Sequence, residues 1–147
     1  MIRTRDPGSG EVVGIDHVAL PLRDAAAMVA FYRSIGLRVE EDPFLVRVRI
    51  GRQMINFHRP ELWQGDFSLR APAALPPCGD LCLVWEGPLE ALCRRLTEVG
   101  VPIEEGPVRR DGGRGTEGTS IYVRDPDGNL VELMAYERET KEHRDVR

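Results

Sequence analysis

The sequence repeats itself once, and this repeat limits the fold more than any other feature. The first half contains GIDHVAL, RDAAAMVAFYRSIGL and VEED, and the second half contains GDLCLV, GPLEALCRRLTEVGV and IEEG. Each set predicts a short strand, an amphipathic helix that ends at a glycine, and a second strand. Two more strand-like segments follow in each half. The repeat is too long for a solenoid, so the chain predicts two tandem β-α-β-β-β modules in one α+β domain.

Both predicted helices carry an apolar stripe at i, i+3, i+4 and i+7. Asp24 is the predicted N-cap of the first helix, and Pro88 suits the first turn of the second. Gly36 and Gly100 are the predicted C-terminal stops. The stripe residues, which we expect in the core, are Ala25, Met28, Val29 and Tyr32 in the first helix and Leu89, Leu92, Cys93 and Leu96 in the second.

The strand-like segments and their connections set the expected boundaries. A turn at Asp125-Pro126-Asp127-Gly128 is predicted because proline presets one backbone angle and glycine permits a positive one. The Gly-rich loop 109–118 is expected to be mobile, and the charged tail 138–147 to be disordered. The expected domain spans 12–137, with module one at 12–60, a linker at 61–78 and module two at 79–137; the later strands are 44–50, 53–59, 118–124 and 129–136.

Composition excludes several classes of protein. The chain has 147 residues and a formal net charge of −4, so no basic surface indicates nucleic-acid binding. No apolar run is long enough for a membrane span, and the N-terminus lacks the apolar region of a secretory signal, so we expect a cytoplasmic protein. Three cysteines in spacings that match no zinc motif are interpreted as reduced thiols buried in the core; they are Cys78, Cys82 and Cys93.

Glu132 lies in the middle of LVELMAY, a predicted strand that is apolar on both faces. A lone ionised carboxylate is costly there, so Glu132 should be neutral, paired or bound to a metal. Arg47 and Arg49 are the candidate pairing partners. These alternatives stay open on the residues alone.

Two histidines share this setting, because His17 and His58 lie in strands that we expect inside the sheets. With Glu132 they form a candidate two-histidine, one-carboxylate site for Fe, Mn, Zn or Ni. Asp80 opens the second module where His17 opens the first, and is a candidate fourth ligand or a residue that orients a ligand. Each of these residues also has an ordinary structural interpretation, namely a hydrogen-bonded histidine or a capping carboxylate.

DHVAL at the start of module one and DPDGNLVEL at the end of module two resemble the vicinal oxygen chelate superfamily, which includes glyoxalase I, extradiol dioxygenases and bleomycin-binding proteins. INFHRP, DLCLVWEGPLEAL, VPIEEGPVRR and SIYVRDPDGNLVEL resemble, more narrowly, glyoxalase domain-containing protein 5 and its bacterial relatives. The resemblance covers roughly 12–137 and implies a glyoxalase-like incomplete barrel.

The resemblance also implies a divalent metal in a cup between two sheets, with His17 and Glu132 at ligand positions. Register places Asn56 at a third such position, with His58 two residues further on, and imidazole is the better transition-metal ligand. Glu132 and Asp80 are the candidate catalytic carboxylates.

The implied function is a metal-dependent lyase, isomerase or dioxygenase that acts on a small substrate with vicinal oxygens, in a homodimer. The alternative is a non-catalytic drug-binding protein with an apolar groove lined by Trp63, Phe67 and Trp85. Asn56, Trp85 and Tyr122 are candidate pocket residues.

Overall fold

A computed structural model describes residues 8–137 and contains two four-stranded sheets and three helices within that range. Module one comprises β1, α1 and β2 to β4, and module two comprises β5, α3 and β6 to β8, with α2 between the modules. The elements are β1 (His17–Pro21), α1 (Ala25–Ser34), β2 (Arg38–Glu41), β3 (Leu45–Ile50), β4 (Gln53–His58), α2 (Pro60–Trp63), β5 (Asp80–Val84), α3 (Leu89–Glu98), β6 (Glu105–Asp111), β7 (Glu117–Arg124) and β8 (Leu130–Tyr136).

The two sheets have the same topology. Their strand orders are β1-β4-β3-β2 and β5-β8-β7-β6, and the first strand of each module pairs with the last strand in parallel. The expected duplicated α+β fold is therefore confirmed, although the sheets do not close into a barrel. β1 and β5 are edge strands, so our expectation that His17 lies in an inner strand is wrong. Residues such as Val18 and Leu20 made β1 look internal because they pack on the core from its edge.

The helices follow their sequence signals. The Asp24 side chain accepts a hydrogen bond from the backbone N–H of Ala27 at 3.1 Å, which confirms the N-cap. Pro88 occupies the N-cap position of α3. Gly36 and Gly100 follow the helices with φ of +98° and +74°, which glycine adopts without strain. The stripes pack into one core cluster: Met28, Val29, Tyr32, Leu92 and Leu96 are buried, and Ala25, Leu89 and Cys93 are partly buried against them.

The turn at Asp125 joins the two modules. Gly128 has φ +99° and its N–H donates to the carbonyl of Asp125 at 2.9 Å, which confirms the predicted turn. The Asp127 carboxylate accepts the backbone N–H groups of Arg23 at 2.6 Å and Asp24 at 3.0 Å, just before α1 begins. The turn between β7 and β8 of module two thus fixes the position of the first helix of module one.

The structure also bears on our expectations for the segment 109–118 and for the three cysteines. Half of the segment 109–118 is strand, since Arg109 pairs with Thr119 and Asp111 with Glu117, which leaves only residues 112–116 as the connection between β6 and β7. Its polar residues hid this hairpin because residues 109–111 and Glu117 are exposed and show no apolar alternation. The cysteines are free thiols, but Cys78 and Cys82 are exposed and only Cys93 packs on the core. The tail 138–147 lies outside the described residues.

Across 8–137 no helix is long and apolar enough to cross a membrane.

Candidate functional site

Each sheet has one face in the shared core and one face turned away from it. On β4, Ile55 and Phe57 are buried, and on β8, Val131 and Leu133 are buried. All four belong to a single hydrophobic cluster that also contains residues of both helices. Because side chains alternate along a strand, Asn56 and Glu132 lie on the opposite faces. The residues that we expected to face inward therefore lie on two outer faces, one for each sheet.

The outer faces of the two sheets carry matching pairs of side chains. In module one, His17 is opposite Met54, so Asn56 lies two positions beyond it on the neighbouring strand. In module two, Asp80 is opposite Leu130, so Glu132 lies two positions beyond it in the same way. Two positions correspond to about 7 Å along a strand, a distance that two side chains can span with an ion between them.

Asn56 has the chemistry of an unused ligand. Its side-chain oxygen Oδ1 is buried and has no hydrogen-bond partner within the described part of the chain. Buried polar atoms are nearly always satisfied, and an orphaned one needs an explanation. A cation or a donor from another molecule would provide its partner, so this position fits a metal ligand.

His17 is oriented by its neighbour. Its Nδ1 donates to the Asp16 carboxylate at 2.6 Å. A histidine that ligates a metal commonly donates its other ring N–H to a carboxylate in this way. The His17 side chain retains 46% of its exposure, so its Nε2 edge is accessible to a ligand.

Glu132 is half-buried and does not pair with an arginine. The Ser120 hydroxyl donates to its Oε1 at 2.6 Å, and Ser120 itself is fully buried. The alternative partners, Arg47 and Arg49, lie in the other sheet and pair with Asp42 and Glu40. Pairing of Glu132 with either arginine is therefore excluded in this chain.

Two further side chains surround Glu132. Cys82 is its register partner on β5, and Tyr122 is its partner on β7. Although the residue is exposed overall, its thiol is partly removed from water, and this desolvation and the nearby Glu132 carboxylate raise the pKa of Cys82 to about 11, so the thiol stays protonated near neutral pH. Burial also raises the pKa of Tyr122, whose hydroxyl accepts a hydrogen bond from Arg110 Nε at 3.1 Å.

The register separates the two predicted histidine ligands. His58 lies opposite Pro21, four positions from His17 along the paired strands, which is about 13 Å. Its ring packs edge-on against Phe67 with centroids 5.7 Å apart, under the connection between the modules. Burial, with a smaller effect from Arg70, lowers the pKa of His58. This placement favours Asn56 over His58 as the companion of His17.

The candidate ligands do not meet within one chain. Across 8–137, no three His, Cys, Asp or Glu side chains come close enough together to hold a metal ion. His17, Asp80 and Glu132 therefore do not form a three-ligand site within the described part of one chain.

The aromatic residues proposed for a drug-binding groove are also divided. Trp85 lines an open cavity of about 1000 Å³ between the edges of β1 and β5, together with Tyr136 and Val84. Trp63 lines a separate cavity of about 70 Å³ beside His58, which Phe67 contacts. The single groove that we expected is absent from the described residues.

Sequence reasoning missed Ser120 and Arg70. The turn at Asp125 fixes the β7–β8 register, in which Tyr122 pairs with Glu132 and Ser120 with Met134. That register could have placed Ser120 beside Glu132, because the two lie diagonally on one face. No sequence signal places Arg70, which lies in the irregular connection, against His58.

Comparisons with known proteins agree with this architecture. The family model described as "Glyoxalase/Bleomycin resistance protein/Dioxygenase superfamily" matches residues 86–133. Virulence protein STM3117 of Salmonella typhimurium is 35% identical over 125 residues, which cover 83% of each protein. Glyoxalase domain-containing protein RDO1 of Mycosarcoma maydis is 34% identical over 127 residues, which cover 86% of this chain and 70% of that protein.

Solved structures share the fold over most of their length. The crystal structure of STM3117 aligns with a TM-score of 0.78 and 33% identity, covering 87% of this chain and 100% of that one. Lactoylglutathione lyase from Agrobacterium tumefaciens aligns with a TM-score of 0.63 and 28% identity, covering 85% of this chain and 95% of that one.

Proposed function

Because this chain belongs to the glyoxalase/bleomycin resistance protein/dioxygenase superfamily, we propose that it is a divalent-metal enzyme whose site is completed by a second copy of the chain. His17 and Asn56 of one copy would face Asp80 and Glu132 of the other. The observation that carries this proposal is the shared register of the two pairs, together with the unpartnered Oδ1 of Asn56.

A second copy would cover exposed apolar side chains that lie near the ligand-bearing strands. Val84, on the outer face of β5, is 50% exposed. Val12 and Val13, just before β1, are 96% and 81% exposed. Ile15, which is 66% exposed, and Val84 line the same open cavity, and exposed apolar side chains that lie together are typical of surfaces that associate. In a two-fold dimer, each module one can meet the partner's module two, which gives two equivalent sites.

The donor set favours a moderately hard ion. One imidazole, one amide oxygen and two carboxylates suit Mn, Fe or Zn better than a soft metal. Such an ion would supply Lewis-acid stabilisation of negative charge on two neighbouring substrate oxygens. The paired carboxylates of Asp80 and Glu132 would balance the ion's charge.

Proton transfer falls to the carboxylates. Ser120 holds Glu132 by Oε1, which fixes the direction of the group. Asp80 is exposed, and its carboxylate has no hydrogen bond or ion pair with any other residue in 8–137, so the carboxylate oxygen that does not face the metal would be available to accept a proton from a substrate carbon. These roles describe a lyase or isomerase.

A dioxygenase is a weaker candidate. Non-haem iron oxygenases commonly use two histidines and a carboxylate. His17 and His58 lie four register positions apart, so this set is difficult to assemble here.

A drug-binding protein without a metal is the second candidate. The open cavity of about 1000 Å³ beside Trp85 and Tyr136 favours it, since ligand pockets reach this size.

Metal analysis by mass spectrometry tests the proposal on wild type and on His17→Ala, Asn56→Leu, Asp80→Asn and Glu132→Gln. We expect near-stoichiometric metal in wild type and a loss in each variant. His58→Ala is the control, and it should retain the metal. Full metal content in all four variants, or none in wild type after reconstitution, would leave the drug-binding candidate.

A further inference from the structure

A small pocket adjoins the outer face of module one. It has a volume of about 70 Å³ and lies at the carboxyl ends of β1 and β4, beneath the connection between the modules. Its lining includes Ala19, His58, Trp63, Arg70 and Ala74. Ala19 is the direct register partner of Asn56, so the pocket begins one side chain away from a proposed metal ligand.

Arg70 brings a positive charge to this pocket without a counter-charge. Three arginines in 8–137 are half-buried, namely Arg47, Arg59 and Arg70. Arg47 pairs with Asp42 at 2.5 Å, and Arg59 pairs with Glu41 at 2.9 Å. Within the described residues, Arg70 has no carboxylate within pairing distance, and its NH1 donates only to the carbonyl of Ala74 at 2.9 Å.

An unpaired, half-buried guanidinium is a site for an anion. Its planar donors match a carboxylate, and partial removal from water strengthens the attraction. Nearby groups do not supply the missing charge, since the side chains that line the pocket are apolar apart from Arg70 and His58.

We propose that this pocket binds a small carboxylate group of the substrate through Arg70, while the vicinal oxygens of the same substrate reach the metal-facing pair His17 and Asn56. The inference rests on the proposed function for its second half and on the pocket alone for its first. A ring nitrogen of His58 provides a second hydrogen bond to the carboxylate.

The volume limits the substrate class. A water molecule takes up about 30 Å³ in the liquid, so the pocket holds about two waters or a carboxylate on a short chain. A carboxylate at the end of a short alkyl arm fits, and the rest of the substrate lies outside the pocket, on the side toward Asn56 and His17. The aromatic and aliphatic walls at Trp63 and Leu69 favour an acid with a short alkyl segment.

Calorimetric titration of the chelator-treated full chain with propionate tests the pocket independently of metal. Ionic strength is held constant, because salt screens the interaction. We expect propionate to bind wild type, and Arg70→Met to weaken binding by about tenfold or more, as expected for a lost charge-assisted hydrogen bond. Arg47→Met is the matched control, since that arginine has its own acid, and it should bind propionate as wild type does.

Ala74→Leu fills the pocket without removing the charge, and it should also abolish binding. It keeps the test valid if Arg70→Met fails to fold. Propionamide and benzoate, which lack the charge or exceed the volume, should bind weakly or not at all. Equal binding of propionate to wild type and to both variants, equal binding of propionamide, or no binding of propionate to wild type would each overturn the inference.

The two proposals fail separately. If the apo protein binds propionate through Arg70 but no metal is found, the pocket stands and the metal site does not. If metal binds through the four proposed ligands but propionate does not bind, the metal site stands and the proposed carboxylate pocket is wrong.

Discussion

Tyr32 donates a buried hydrogen bond to the Asp125 carboxylate at 2.8 Å, linking α1 of module one to the turn before β8 of module two. The same carboxylate accepts the backbone N–H of Asn129 at 2.9 Å and its side-chain amide at 2.8 Å. Burial raises the pKa of Asp125, and it raises that of Tyr32 strongly, so both groups depend on this network for compensation. The contact between the modules therefore includes a buried polar network in addition to the shared hydrophobic core.

Removing the Tyr32 hydroxyl should weaken this contact. Tyr32→Phe keeps the ring packed and leaves the carboxylate short of one donor, which should cost about 1–3 kcal/mol of unfolding free energy. Urea denaturation measures the change. Tyr122→Phe, on the open face, is the control and should change stability little. A Tyr32→Phe protein as stable as wild type would show that water replaces the lost donor.

The pH dependence of stability should include a contribution from Asp42. The backbone N–H groups of Phe44 and Leu45 and the Arg47 guanidinium lower its pKa below the ordinary 3.8. A lowered pKa means that the ionised form stabilises the fold, fully above the ordinary pKa and less as pH falls through the lowered value. The advantage of wild type over Asp42→Asn should therefore be constant near neutral pH and shrink below about pH 4. Denaturation across pH checks this, and an advantage that grows on acidification would contradict it.

Ser120 should tune the metal site through Glu132. Ser120→Ala removes the hydrogen bond to Oε1, and loss of such an outer partner commonly costs about 10–100-fold in metal affinity. Competition with a chelator of known affinity measures the change. Thr119→Ala, one residue earlier and on the other face, is the matched control. Equal metal affinity in the Ser120→Ala and Thr119→Ala variants would show that Ser120 does not support the metal site.

Gly106, in β6, should tolerate substitution poorly. Its φ is +111°, and an added Cβ would lie 2.5 Å from the carbonyl oxygen of Ser120 on the paired strand. Gly106→Ala should therefore destabilise the chain by about 1–3 kcal/mol, since the obstacle is backbone. Gly113→Ala, where nothing lies within 4 Å, should be close to neutral in the same thermal unfolding experiment.

The sequence alone predicts the repeat, the helix stripes and the Asp125 turn correctly because each is a local pattern. It also placed Leu130, Glu132 and Met134 on one face of β8, which the register confirms. The sequence did not predict the parallel pairing of β1 with β4, since no short turn between these two strands fixes their register. The preference of His58 over Asn56 therefore rested on ligand chemistry alone.

The separation of the two outer faces was likewise invisible in the pattern. Alternation indicates that a strand has two faces, but the packing of both helices into one core decides which faces point outward. Arg70 lies in the irregular connection between α2 and β5, so no periodicity could locate it.

Metal binding by a mixed dimer tests most directly whether the metal site is formed between two copies of the chain. His17→Ala and Glu132→Gln chains, carrying different tags, are co-expressed, and the species with both tags is isolated. In that mixed dimer, one site combines the intact His17 of one copy with the intact Glu132 of the other, and the second site has lost both ligands. We therefore predict metal at about half the wild-type content in the mixed dimer and none in either variant alone. Metal-free mixed dimers, or metal retained by either variant alone, would contradict a site formed between two copies.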